Sequence, residues 1–538
     1  MQPTRPPDAA RRGRHEATGE WPQPPLSACL AERARTTPER VFVIEADGAS
    51  HTFAAVAARA ERMAAALRRL GVRQGEAVLW QLPNWMEAVA LAGAIDRLGA
   101  VSVPVLPIWR EQELGFACRQ TGARVLVVPG VVRGVDHRDL AAAVRRSVAA
   151  IEHVLTVRAE PAGGQRALEA LEDDPDTPLP PSPHGPHDVS AVFYTSGTTA
   201  DPKGVLHTPS TLGAVLHSHA QRLRPGPDDR SLLQFPLTHV GGLVMFALLP
   251  ARWASSAVYM DRYDPALAVE LIARHGVTVA GGPPAVLQGM FDAASWSPGK
   301  VRTVRASGTG AADVSPELMR RIRTHFPAAF VYRAYGLTEC PMLTCGAPDD
   351  PRDRLDGSDG RAVPGATVRI VGEAGRSVPA GVEGEIEAYG PQLCVGYADP
   401  ALDEAFAGDG FFRTGDLGVM DAGGWVRITG RRKDIIIRKG ENLSAKGIED
   451  ELAAHPAVAE AAVIGVPDAA SGERVCACVV LRPGAGALDL AGVRAFMEAR
   501  GVMRQKVPER LEVLDALPRN PTGKVTKDVL RARFGSGG

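Results

Sequence analysis

The sequence predicts an α/β protein: a large N-terminal domain of α/β sheets with a β subdomain, and a small α+β C-terminal domain. Three observations carry this. Through residues 26–187, and again through 231–335, helical apolar periodicity alternates with short apolar runs, the pattern of strands and helices around a largely parallel sheet. From 366 to 428 the apolar segments shorten and are punctuated by glycine, which reads as a small, mostly β subdomain. Beyond GRRKD at 430–434 the remaining segments make a compact unit of domain size. A chain of 538 residues is also too long for a single core. The expected division is 1–25, 26–430 and 431–538.

Taken in order, residues 1–25 are rich in Pro, Arg and Ala and are expected to be a disordered tail. The Arg11-Arg12 pair is not followed by the apolar run of a secretion signal. Helical patterns cover 53–70 and 85–98; strand patterns cover 77–82, 125–128 and 154–157. Residues 160–187, rich in Pro, Asp and Gly, form a surface connection. Strands are then expected at 231–235, 257–260, 277–280, 301–306 and 330–335, with helices at 265–275 and 316–325. The glycine-bounded strands lie at 366–372, 384–389 and 424–428. In the last unit a helix at 446–455 precedes strands at 458–466 and 474–481, a helix at 488–500 and a strand at 510–514.

Composition removes several classes of function. A hydrophobic fraction of 45% and a charged fraction of 23% are those of an ordinary soluble protein. A net charge of −1 argues against nucleic acid or an anionic membrane recognised by bulk charge. The nearest approach to a membrane span, 240–260, is broken by Pro250 and Arg252. Seven scattered cysteines without a CxxC pair point to a reduced, cytoplasmic setting and no cysteine metal site.

The chemistry concentrates in short stretches. Residues 194–205 read YTSGTTADPKGV after an apolar run at 189–193. Thr195, Ser196, Thr198 and Thr199, with Gly197 and Lys203, supply the hydroxyls, amides and ammonium that suit a polyphosphate, although ordinary surface loops share this composition. The Walker A pattern is absent. Only eight of the 61 basic residues are lysines, the first being Lys203, with Lys433, Lys439, Lys446 and Lys524 among the rest. Where arginine fills most surface roles, a retained lysine marks a need for a compact, mobile charge.

Further along, FPLTHVGGL at 235–243 sets His239 beside Gly241 and Gly242: a pocket wall with open space, or a structural histidine. SGTGAA at 307–312 ends a strand with small residues, against which a flat ligand could lie, or makes a tight turn. In YGLTE at 335–339, Thr338 and Glu339 could hold a phosphate oxygen and its Mg²⁺, or Thr338 could cap a helix. TGD at 414–416 offers a carboxylate for paired ribose hydroxyls, or a β-turn. PRNPTGKV at 518–525 places Lys524 in a glycine-containing loop.

In this order the motifs YTSGTTADPKG, FPLTHVGG, YGLTE, TGD, GRRKDIIIRKGENLSAKGIE and PRNPTGK resemble those of the adenylate-forming (AMP-binding) superfamily, over nearly the whole chain. Within it, QLPNWMEAV, PIWREQEL, RVLVVP and GERVCACVVL are most similar to cyclohexanecarboxylate–CoA ligases and medium-chain acyl-CoA synthetases. The resemblance implies that a carboxylate attacks the α-phosphate of Mg·ATP to give acyl-AMP and pyrophosphate, and that coenzyme A then displaces AMP. It implies that Thr195, Ser196, Gly197, Thr198, Thr199 and Lys203 hold the β- and γ-phosphates. Tyr335 and Gly336 would lie at the adenine, with Gly308, Thr309 and Gly310 lining the adenine and acyl side. Thr338 would meet the α-phosphate or carboxylate, Glu339 the Mg²⁺, and Asp416 and Arg431 the ribose. Lys524 would neutralise the reacting oxygens, Lys433 would be the hinge of a mobile C-terminal domain, and Lys439 and Gly440 would face the coenzyme A channel. The sequence departs from the family at Ala200, where glycine is usual.

The acid itself is expected to be medium-chain, alicyclic or aromatic. No acidic residue lies between 230 and 260 to pair with an α-ammonium. The expected pocket residues His239, Val240, Gly241, Gly242, Gly282, Cys340 and Met342 are apolar or small, apart from the histidine. Two other readings remain: a ligase that loads an acyl carrier protein, and an inactive nucleotide-binding homologue.

Overall fold

The computed structural model describes residues 1–172, 179–195, 201–312, 314–438, 441–468, 471–520 and 523–535. Ser196, Gly197, Thr198, Thr199, Ala200, Lys439 and Gly440 therefore lie outside the described residues.

A seven-stranded sheet orders its strands Lys203–His207, Ala191–Thr195, Val101–Pro104, Ala77–Trp80, Val125–Pro129, His153–Val157 and Arg166–Ala167. The three central strands are buried along their whole length, as expected of parallel strands covered on both faces. The helix Phe53–Arg69 follows Thr52, whose hydroxyl accepts the Ala55 amide and so caps it. It packs with Met86–Arg97 and Leu26–Thr36 in a core rich in buried alanine.

A second sheet is assembled from two four-stranded pieces. Arg230–Leu233, Ser256–Tyr259, Val41–Glu45 and Ser50–Thr52 form one; Ala306–Gly310, Phe330–Leu337, Cys340–Cys345 and Arg361–Ala362 form the other. Val279 joins them, bridging Ser231 on one side and Ala306 on the other. The strand expected at 301–306 lies further on: residues 298–301 form a 3₁₀ turn and the strand is Ala306–Gly310. Its small side chains resemble a turn in the sequence, but the strand position is fixed by parallel pairing with Phe330–Leu337.

Antiparallel strands Thr367–Val371, Gly384–Tyr389, Phe412–Met420 and Val426–Arg431 make the third sheet. TGD is not a β-turn but part of the third of these. After the short 3₁₀ turn Arg432–Asp434, a fourth sheet contains Glu441–Ser444, Ile435–Arg438, Gly472–Leu481 and Val458–Asp468, with Arg510–Val513 parallel to Gly472–Leu481. Cys476 and Cys478 share one buried face there. Ser444 Oγ donates to the Thr429 carbonyl at 2.6 Å, tying this sheet to the third.

Residues 1–25 depart from the expectation of a disordered tail. Ala9–Ala17 is a helix whose first turn is capped by Asp8 accepting the Arg11 amide, and Trp21 is fully buried. The anchor is Arg11: Nη2 donates to the carbonyls of Gly390 and Leu393 at 2.9 and 3.1 Å, and the guanidinium lies over the rings of Trp21 and Tyr389. Composition counted arginines as solvated charge, whereas here one satisfies two carbonyls of a distant loop. Arg11→Ala is expected to lower stability by about 2–3 kcal/mol, because it strands both acceptors and removes ring packing. A shift in the urea midpoint with an unchanged slope would register it.

Candidate active site

A cavity of about 1210 Å³ opens over the C-terminal ends of the second-sheet strands and is closed by the third sheet and the C-terminal unit. Thr195 and Lys203 border it from the first sheet, Tyr335, Gly336, Thr338 and Glu339 from the second, and Asp416 and Arg431 from the third. Lys433 and Lys524 border it from the C-terminal side. Gly308, Thr309 and Gly310 form part of its floor, and His239, Val240, Gly241, Gly282 and Met342 part of its walls.

Two expected lining residues do not reach it. Gly242 faces backbone: a Cβ there would stand 2.2 Å from the Pro236 carbonyl oxygen, so the glycine permits close packing and opens no space. Cys340 is fully buried in the core around Val205, Leu343 and Ile386. Each follows a residue that does border the cavity, Gly241 and Glu339, but is itself packed against backbone or core.

Thr338 and Glu339 form a two-residue turn between Phe330–Leu337 and Cys340–Cys345, with Leu337 opposite Cys340, so Thr338 does not cap a helix. Three residues from two other segments grip this turn. His207 Nε2 donates to the Thr338 carbonyl at 2.8 Å, and the Cys394 amide donates to the Glu339 carbonyl at 2.8 Å. The Tyr397 hydroxyl donates to Glu339 Oε1 at 2.6 Å. Thr4 Oγ1 in turn donates to the carbonyl of Tyr397 at 3.3 Å, so the N-terminal arm braces the strap that holds Glu339. Neither His207 nor Tyr397 stood out in the sequence, since each lies outside the glycine-rich motifs.

Burial raises the Glu339 carboxyl pKa, opposed by the Tyr397 hydrogen bond and by the nearby Lys203 charge. A desolvated carboxylate beside a cation gains from a further positive ion. Among the described residues no group of three or more His, Cys, Asp or Glu could hold a metal by itself. That donor set fits Mg²⁺, which is commonly held by one or two carboxylates and the phosphates of a substrate.

Asp416 is held from both sides. The Tyr335 hydroxyl donates to Oδ2 at 2.7 Å, and Arg431 Nε stands 2.9 Å from Oδ1. Lys524 follows Gly523, whose φ of +82° is left-handed, and its amide donates to Asn520 Oδ1 at 2.9 Å. This turn carries the ammonium of the C-terminal unit to the cavity. His239 caps the short helix after it, Nδ1 accepting the Gly241 amide at 3.1 Å, and burial lowers its pKa to about 4.

His207 provides a test of the turn's support. Burial lowers its pKa from 6.5 to about 4. With the folded value below the unfolded one, the unfolded chain takes up the proton first. The stabilisation is present above the unfolded pKa and is lost as pH falls through the folded one, amounting to at most about 3 kcal/mol. Unfolding midpoints followed from about pH 7 to about pH 4 are expected to fall, and less steeply in His207→Gln.

The family model for AMP-binding enzymes matches residues 30–398, and that for the AMP-binding enzyme C-terminal domain matches 447–524. The chain is 30% identical over 528 residues to the medium-chain fatty-acid–CoA ligase of Escherichia coli, covering 97% of this chain and 92% of that protein. It is 33% identical over 536 residues to the salicyl-AMP ligase / salicyl-S-ArCP synthetase of Mycobacterium tuberculosis, covering 98% and 94%. ATP-bound MatB from Rhodopseudomonas palustris superposes with a TM-score of 0.87 at 31% identity, covering 96% of this chain and 99% of that one. The apo form of MatB covers the same shares at 30% identity with a TM-score of 0.76.

Proposed function

This chain belongs to the AMP-binding enzyme family, and we propose that it is an ATP-dependent acid–thiol ligase that activates a carboxylic acid as acyl-AMP and passes the acyl group to coenzyme A. The observation that carries this reading is the convergence of Lys203, Glu339, Asp416 and Lys524, from distant parts of the chain, on one cavity. In the first step a carboxylate oxygen bonds to the α-phosphorus of ATP as the bond to pyrophosphate breaks. In the second the thiol sulfur bonds to the acyl carbon, AMP leaves, and the thiol proton passes to solvent.

The protein's part is to place charge where it develops. Lys203, with Thr195, Ser196, Gly197, Thr198 and Thr199, is assigned to the departing pyrophosphate. Asp416, presented by Tyr335 and Arg431, is assigned to the ribose, and Tyr335 and Gly336 to the adenine edge beside Gly308–Gly310. Thr338 is assigned to the reacting carboxylate and α-phosphate. Glu339 would hold Mg²⁺, which supplies charge neutralisation to the phosphates when bound. Lys524 is assigned to the oxygens that gain or share charge in adenylation. The better superposition on ATP-bound MatB than on its apo form supports reading this arrangement as the one for the first step.

For the second step, residues 431–538 are proposed to move as a unit about Lys433, at the short turn Arg432–Asp434 between the third and fourth sheets. Lys439 and Gly440 would then face coenzyme A. A carrier-protein arm is the second reading, supported by the resemblance to a relative named as both an AMP ligase and an ArCP synthetase. Seven buried, free cysteines agree with a reducing, cytoplasmic setting, and no described helix is long and apolar enough to cross a membrane.

The test is AMP release with and without coenzyme A over medium-chain, alicyclic and aromatic acids. Coenzyme A-dependent release with formation of the acyl thioester is expected. Acyl-AMP formation that responds only to a phosphopantetheinylated carrier protein would replace the acceptor, and no adenylation of any acid would favour a nucleotide-binding homologue.

A further inference from the structure

The end of the cavity away from Lys524 is polar. The strand Ala306–Gly310 forms its floor, and about 16 Å of rise separates Gly310 at the nucleotide end from Arg305, half-exposed at the far rim. At that end lie His219 and Leu223 from the helix Pro209–Leu223, with Asp229, Ser231, Arg305 and Tyr332. Gly308 is required between them: a Cβ there would meet the ring tip of Tyr332 at 2.5 Å.

The charged pair at this end is closed on itself. Arg305 Nε donates to Asp229 Oδ1 at 2.6 Å and Nη2 to Oδ2. Asp229 also accepts from Thr278 Oγ1 at 2.9 Å and from the Gly226 amide at 2.8 Å. A second carboxylate would therefore compete for a guanidinium already engaged, and an ammonium for a carboxylate already saturated. His219 differs. It borders the cavity at 7% exposure, and neither ring nitrogen has a hydrogen-bond partner among the described residues. Nδ1 is enclosed by protein, so Nε2 is the nitrogen left to meet a ligand, and a desolvated, unpaired polar group is unfavourable until it finds a partner. Burial lowers the His219 pKa to about 3, so near neutrality the ring is uncharged and suits a neutral group.

We propose that the acid carries a neutral hydrogen-bonding group, a hydroxyl or carbonyl oxygen, at the end remote from its carboxylate, and that His219 receives it beside Ser231. This rests on the ligase reading above and narrows its substrate from a plain hydrocarbon acid to an oxygenated one. His219 is then a specificity residue, apart from the groups assigned to the phosphates and ribose.

Pyrophosphate exchange tests it with paired acids long enough to reach that end: octanoate, decanoate and dodecanoate, each against its ω-hydroxy derivative. The wild type is expected to favour the oxygenated member of at least one pair by about tenfold or more in kcat/KM, because a site built for a hydrogen bond discriminates against an analogue lacking it. His219→Leu is expected to abolish or reverse that preference while still exchanging with the unsubstituted acid, and His219→Gln to retain it in part. Preference for the unsubstituted acid in every pair, or an oxygen preference unchanged in His219→Leu, would overturn the proposal and leave the ligase reading intact. If His219→Leu does not fold, the wild-type comparison and His219→Gln decide. Absence of exchange with all acids would remove the ligase reading and this proposal with it.

Discussion

Replacing Lys524 by alanine is expected to reduce acyl-AMP formation by about a thousandfold, some 4 kcal/mol of transition-state stabilisation. Thioester formation from supplied acyl-AMP should stay near the wild-type rate. The asymmetry follows from position. Lys524 reaches the cavity from the C-terminal unit, whereas Thr195 and Lys203 border it from the first sheet. It would complete the site only while that unit is docked as it is here. In a low-dielectric cleft, one ammonium on the oxygens that share charge during displacement is worth far more than a surface lysine. Pyrophosphate exchange reads the first half-reaction and chase of acyl-AMP with coenzyme A reads the second. Equal losses in both would remove Lys524 from the role assigned to it.

Glu339→Gln is expected to lower pyrophosphate exchange by about a hundredfold and to raise the Mg²⁺ concentration needed for half-maximal rate. The amide keeps the size of the side chain and can still accept from Tyr397, whose hydroxyl lies 2.6 Å from the carboxylate in the wild type. What it loses is charge, in a setting where burial already raises the carboxyl pKa. The same shift fixes a sign for pH: exchange should fail on the acid side at a higher pH than an ordinary glutamate would give, as Glu339 takes up its proton. Unchanged Mg²⁺ dependence in Glu339→Gln would place the ion elsewhere.

Much of this candidate site was legible in the chain because most of its parts fall at strand ends or turns, where the apolar pattern stops and small or polar residues follow; Asp416, inside the strand Phe412–Met420, is the exception. Lys203, Thr338, Glu339, Asp416, Arg431 and Lys524 all border one cavity. The misplacements have a common physical origin: local composition does not report what lies opposite. Residues 306–310 look like a turn because glycine and alanine, three of the five residues, have weak strand preference, yet parallel pairing on one side and Tyr332 above Gly308 settle the backbone. Gly242 reads as open space, but meets the Pro236 carbonyl.

Residues whose role depends on distant partners were invisible. Tyr397 becomes informative only once Glu339 is beside it, and His207 only once the Thr338 carbonyl is within reach. The N-terminal arm had the composition of disorder, yet Arg11 finds two carbonyls nearly four hundred residues away, at 390 and 393. His219 and Asp229 sit in an ordinary helix and the connection after it, so only the folded sheet brings them to the cavity.

The central claim is that a carboxylate oxygen of the acid bonds to the α-phosphorus of ATP. A carboxylic acid labelled with heavy oxygen in both carboxylate positions, turned over with ATP, Mg²⁺ and coenzyme A, tests it by mass spectrometry of the products. One labelled oxygen is expected in AMP, the other in the acyl thioester, and none in pyrophosphate. Label in inorganic phosphate with release of ADP, or unlabelled AMP alongside a fully labelled acid, would contradict the account.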